Sequence, residues 1–129
     1  MIEATTFPDV EAAVIAAIKP FLAGVIVSNK TPSPITGKVV TIGFSGGGRR
    51  DWGEASVNVG VNVYAQTDSD CRGLAITVQD HLAATSDDLI EGIRTPAGGG
   101  TVIVGQQPPY QRYFVITVML RAQSLLDLS

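Results

Sequence analysis

Residues 54–70 read EASVNVGVNVYAQTDSD, and the fold class turns on how this stretch is parsed. From Ser56 to Tyr64 the residues alternate without a break. Val57, Val59, Val61 and Val63 fall on one side, and Ser56, Asn58, Gly60, Asn62 and Tyr64 on the other. A period of two, carried by β-branched side chains, predicts a strand with one buried face and one small, polar face. The pattern then changes. Thr67 and Asp70 have the spacing of a helix capping box, and Cys71, Leu74, Ala75, Val78 and Leu82 recur at helical spacing through TDSDCRGLAITVQDHLAAT, 67–85. A half-buried strand therefore feeds an amphipathic helix.

Working outward, KVVTIGF (38–44) alternates with Val40, Ile42 and Phe44 on one face. It is joined to the central strand by SGGGRRDWGE (45–54), which predicts a strand–loop–strand hairpin. Downstream, RYFVITVMLRAQ (112–123) is expected to close the sheet with Phe114, Ile116, Val118 and Leu120 inward. Between them, 86–111 breaks into short strand-like pieces and turn clusters. At the other end, FPDVEAAVIAAIKPFLAG (7–24) predicts a first helix with Pro8 at its first position and Asp9 and Glu11 at the positive end of the dipole. Val10, Ala13, Val14, Ala17, Ile18 and Phe21 would form its apolar face, with Pro20 and Gly24 ending it. GVIVSN (24–29) follows as a short strand, and the prolines of KTPSPITG (30–37) predict a turn-rich connection. Residues 1–129 are thus expected to form a single α+β domain, a mostly antiparallel sheet with two helices packed on one face.

Composition narrows the class of partner. Charged residues make up only 16% of the chain against 45% hydrophobic, which leaves much neutral or apolar surface of the kind that other subunits cover. A formal net charge of -3 gives no global basic field for nucleic acid. The single Cys71 excludes an internal disulfide framework. No apolar run approaches the ~20 residues of a membrane-spanning helix, and the N-terminus lacks the basic region of a signal peptide. A soluble protein made and used in a cytoplasm is expected.

A phosphate-cradling loop needs a helix N-terminus and a Lys-Ser/Thr pair after its glycines, whereas GGGRRDW is followed by a strand. Arg49, Arg50, Asp51 and Trp52 together on a hairpin tip instead suit protein docking, since Arg and Trp are enriched at interface hot spots; the simpler alternative is a glycine-rich turn. Asn58 and Asn62, on the polar side of the central strand, are candidates for an interface covered by another subunit, with ordinary solvation as the alternative. His81 sits at the edge of the second helix's apolar stripe, and a lone histidine cannot build a usual zinc site. Asp68/Asp70 suit helix capping and Asp87/Asp88 an exposed turn. No base is paired with an orienting group, so neither an enzyme nor a cofactor is expected.

Four stretches together carry a family likeness: DVEAAVIAAIKPFL (9–22), VVTIGFSGGGRRDWGEASVNVGVNVYAQTDSD (39–70), AITVQDHLAA (75–84) and YQRYFVITVMLRAQ (110–123). Over nearly its whole length the chain resembles tail terminator (tail completion) proteins of long-tailed bacteriophages, those of actinobacterial phages in particular. The resemblance rests on pattern: a Gly-Gly-Arg hairpin tip, a strand ending in an aromatic before an acidic helix start, and a last strand ending in Arg. It implies a mixed sheet with flanking helices and a six-fold homo-oligomeric ring. It also implies a role in the virion, assembled in the host cytoplasm. There the ring caps the tail tube protein, stops tube elongation and offers a face to the head–tail connector, with DNA passing through the lumen and no sequence-specific nucleic-acid contact. The chain departs from the pattern in its glycine runs at 46–48 and 98–100, so loop contacts do not carry over by position. Another neck or minor tail protein of the same particle, or more distantly a small ligand-binding domain, are the alternatives.

Overall fold

In a computed structural model, residues 5–6, 9–44, 49–51, 54–96, 100–105, 107–121 and 123–124 are described. In chain order the elements are β1 (Thr5–Thr6), α1 (Val10–Ile18), β2 (Val25–Ser28), β3 (Lys38–Phe44), β4 (Arg49–Asp51), β5 (Glu54–Ala65), α2 (Asp68–Ala83), β6 (Ile90–Arg94), β7 (Val102–Gly105), β8 (Tyr110–Arg121) and β9 (Gln123–Ser124). The alternating strand β5 is the axis of the principal sheet. β8 pairs antiparallel along its whole length on one edge, from Glu54↔Arg121 to Ala65↔Tyr110. β3 and β4 pair antiparallel with the other edge. β2 lies parallel to β3, while β6 and β7 pair antiparallel with the far side of β8. The sheet is therefore mixed, with one parallel pair among antiparallel ones. β1 and β9 form a separate two-stranded pair.

Both helices lie on one face of this sheet. Val10, Ala13, Val14 and Ile18 of α1, the Cys71–Leu82 stripe of α2 and the inward residues of β3, β5 and β8 belong to one buried cluster. Val59, Val61 and Val63 are fully enclosed, as are Ile42 and Ile116, and Phe114, Val118 and Leu120 are buried with them. The expected inward set thus holds, with Val57 only partly buried at the rim. Phe44 pairs with Val59 in the ladder, and its side chain lies outside the described residues.

The N-terminal helix differs from expectation at both ends. Asp9 is its N-cap, with Oδ1 accepting from the Ala12 amide at 3.2 Å, so the helix begins at Val10 and Pro8 precedes it. At the other end Pro20 has no amide to continue the helical bonding, and the chain tightens into a 3-10 turn over Lys19–Phe21. That change of pitch swings Phe21 out of the apolar stripe to 62% exposure, and Leu22 takes the buried position instead. Gly24 then reverses the chain at φ 76°, a left-handed conformation that suits glycine. The second helix starts as expected, with Thr67 Oγ1 accepting from the Asp70 amide at 3.1 Å.

Candidate assembly surface

The face of the sheet away from the helices is built by the polar side of β5 and its neighbours. Asn58 stands opposite Thr117, whose hydroxyl donates to Asn58 Oδ1 at 3.0 Å. Asn62 Oδ1 accepts from Gln111 Nε2 at 2.8 Å. Both asparagines are thus tied to β8 by cross-strand hydrogen bonds that hold two strands in register, and Asn58 remains exposed. Between them Tyr113 lies over Gly60; a Cβ added there would sit 2.9 Å from the Tyr113 hydroxyl oxygen. Glycine at 60 is what lets the ring lie down on the sheet.

This face is therefore less flat than its small residues predict. Val39, Thr41 and Tyr64 are buried on it, and Val39 and Tyr64, directly opposed, stand apart from the helix-side cluster. Around this paved centre the surface turns apolar and open. Val115 on β8 is 42% exposed and Ile26 on β2 49%, while Val102, Ile103 and Val104, consecutive on β7, are 63%, 49% and 55% exposed. Scattered apolar residues are ordinary on a surface, but three in succession on an edge strand are the feature that natural sheets usually blunt with charge or proline.

The predicted docking residues divide. Arg49, Arg50 and Asp51 do not belong to a loop: they form β4, paired as Arg49↔Ser56, Arg50↔Ala55 and Asp51↔Glu54. The reason lies in the register. Four residues, 45–48, separate Phe44 from Arg49, but only Val57 and Asn58 separate their partners Val59 and Ser56. Between Phe44 and Arg49 the chain thus carries two more residues than β5 carries between their partners, and pairing resumes at Arg49. The side chains of Arg49, Arg50 and Asp51 lie outside the described residues, as does Trp52. The structure does not bring this strand together with Asn58 and Asn62 through any described contact.

Two side chains of consequence escaped the sequence reading. Gln79, in the buried stripe of α2, is enclosed and donates to the Gly100 carbonyl at 3.1 Å, holding the approach to β7 against the helix. Arg112 continues the inward even-numbered series of β8 (114, 116, 118, 120), and that parity was the available signal. Its guanidinium donates to Asp68 Oδ1 at 3.0 Å and to Thr101 Oγ1 at 3.2 Å, so it joins the start of α2 to the start of β7. Arg112 Nε is buried without a partner. The edge strand β7 is thus braced from two directions.

Cys71 lies beneath this group, with Sγ 3.3 Å from the Val63 carbonyl oxygen and 3.6 Å from that of Tyr110. Burial pushes its thiol up from the ordinary value, and the nearby Arg112 charge only partly opposes this. The neutral thiol is a hydrogen-bonded core group and not a nucleophile. In native protein at pH 8 a disulfide reagent such as dithionitrobenzoate is expected to leave Cys71 unmodified, and to react promptly after denaturation; rapid native reaction would refute the enclosure. The sign of the linkage follows. The folded thiol holds its proton to higher pH than the unfolded one, so its contribution to stability is complete below about pH 8.5 and is lost as pH rises through the folded value.

On the helix side, Phe21 stacks on half-buried His81 with ring centroids 4.7 Å apart, between two open clefts of about 360 and 260 Å³. Among the described residues no group of three or more His, Cys, Asp or Glu is placed to hold a metal ion. No helix is long and apolar enough to cross a membrane.

Fold and surface together define a small α+β domain: a mixed sheet layered by helices on one face, and open and partly apolar on the other face and along one edge. Compared with family models and with curated proteins, the chain matches none of them.

Proposed function

We propose that this chain is a ring-forming tail terminator of a long-tailed bacteriophage. Copies of it form a homo-oligomeric ring, a hexamer on the family resemblance, that caps the last layer of tail tube protein and stops elongation. The opposite face of the ring meets the head–tail connector, and DNA passes through the lumen. The role is structural: position and contact, with no cofactor and no catalysis.

The observation that supports this reading most is the run of exposed apolar residues on β7, with Ile26 and Val115 on the open face. Such a surface, on a chain with only 16% charged residues, suits a subunit that works covered by others. The near whole-length resemblance supplies the identity of the assembly, and the helix-backed mixed sheet agrees with the fold it implies.

The test is negative-stain electron microscopy of the purified protein, alone and mixed with tail tube protein. Rings that sit on tube ends, with tubes shortened or held at fixed length, are the expected result. Rings that form but never occupy tube ends would assign the chain to another position in the neck. An absence of rings under both conditions would overturn the proposal.

A further inference from the structure

We propose that neighbouring copies of this chain join head to tail through the two edges of the principal sheet, β2 of one copy pairing antiparallel with β7 of the next. The inference deepens, and rests on, the ring-forming reading above.

The two edges are suited to each other by level, direction and chemistry. Following the register across the sheet, Ile26, Val39, Tyr64, Gln111 and Gly105 make one row, and Ser28, Thr41, Asn62, Tyr113 and Val102 another. β2 and β7 therefore stand at the same height on opposite sides of the sheet. A copy repeated by rotation about an axis along the strands meets its neighbour with no rise, which is the condition for a closed ring and not an open filament. Direction agrees as well. β3 and β8 both run antiparallel to β5, β2 runs with β3, and β7 runs against β8, so β2 and β7 run oppositely. Side by side they form an antiparallel ladder of up to four residues on each strand.

Among the described residues each of these strands has one strand partner, so each offers a row of backbone donors and acceptors on its other side. β7 carries no proline, lysine or acid to discourage pairing. Ile26 and Val102 fall on the same face of the sheet, the one away from the helices, so joining the edges brings two exposed apolar side chains together.

Charge discourages the β2 edge from pairing with a copy of itself. The stretch around β2, residues 19–38, holds all three lysines of the chain and no acid. β7 itself carries no charged residue, and β6 beside it pairs with the other end of β8, at Thr117–Leu120. A two-fold β2–β2 contact would bring the lysine-bearing stretches of two copies together, which the head-to-tail contact avoids.

The experiment uses two single-edge variants, Ile26→Lys on β2 and Val102→Lys on β7, each at an exposed position, with Val104→Lys as a second β7 variant. Unchanged circular dichroism and melting confirm that each folds. Masses are read by native mass spectrometry from micromolar to millimolar protein. The wild type is expected to form a closed oligomer, and each variant to stay a single subunit. An equal mixture of the two should then form a dimer, because the intact β7 of one variant meets the intact β2 of the other. Rings that persist in both variants would overturn the edge contact while leaving the ring reading standing. Dimers formed by Ile26→Lys alone would overturn it in favour of a two-fold β7 contact. A wild type that stays a single subunit throughout would overturn both readings.

Discussion

Ile116→Ala is expected to lower the unfolding free energy of the isolated subunit by about 3–5 kcal/mol, in the upper part of the range for large-to-alanine changes in cores. Ile116 is fully enclosed, on the helix face of β8, directly opposite Val59 of β5. Neither long strand can move to refill the gap, because β5 and β8 are paired over twelve residues each. α2 is held over the same region by the packing of Leu74, Val78 and Leu82 and by the hydrogen bond from Gln79 to Gly100. The cavity therefore stays largely open, and its cost adds to the lost transfer energy. A domain of this size has about 5–15 kcal/mol of stability in all, so the variant should unfold at far lower denaturant concentration. Val115→Ala is the control one residue away. Its side chain is on the open face and 42% exposed, so a change within about 0.5 kcal/mol is expected. Equilibrium urea unfolding of both variants decides the matter: equal effects would mean that the two faces of β8 have been assigned wrongly.

The second large effect belongs to assembly. If β4 is a docking element, Arg49→Ala/Arg50→Ala removes two cations whose charge-assisted hydrogen bonds to partner groups are each worth roughly 1.5–3 kcal/mol. Ring formation or tube capping should then weaken by a factor of about a hundred or more. Stability of the subunit should hardly change, because the ladder Arg49↔Ser56, Arg50↔Ala55 is made by backbone groups that alanine retains. Melting temperature together with ring count and tube length at matched protein concentration separates the two effects. Normal rings on normally capped tubes would reduce β4 to a short extension of the sheet edge. A large fall in melting temperature would instead make the arginines part of the fold.

Much of the architecture was written in periodicity. The alternation of 56–64 and 112–120 and the helical stripe 71–82 were each long enough to specify which side chains turn inward, and apart from Val57, partly buried at the rim, the expected inward residues of β5, β8 and α2 are buried as their spacing requires. A shift of one residue would move every valine of β5 to the wrong face, so the pattern admits one register. The cap at Thr67 was equally legible, because the Thr67–Asp70 hydrogen bond is local.

What the sequence could not determine was where local rules meet distant partners. Phe21 obeys the helical spacing of α1, yet the 3-10 turn at Pro20 carries it out to stack on His81, sixty residues away in the chain. SGGGRRDWGE looks like a loop because glycines dominate it. Pairing with β5 nevertheless makes a strand of Arg49–Asp51, since that edge of β5 would otherwise leave its backbone groups without ladder partners. Asn58 and Asn62 are polar and small in the sequence; that they are spent on Thr117 and Gln111 depends on a register between strands some fifty residues apart. Composition alone determined that this chain would carry little charge and leave apolar surface uncovered. Only the tertiary structure placed that surface on β7 and set β2 level with it across the sheet. Strand order and register are decided by long-range pairing, which leaves no period in the chain to be read.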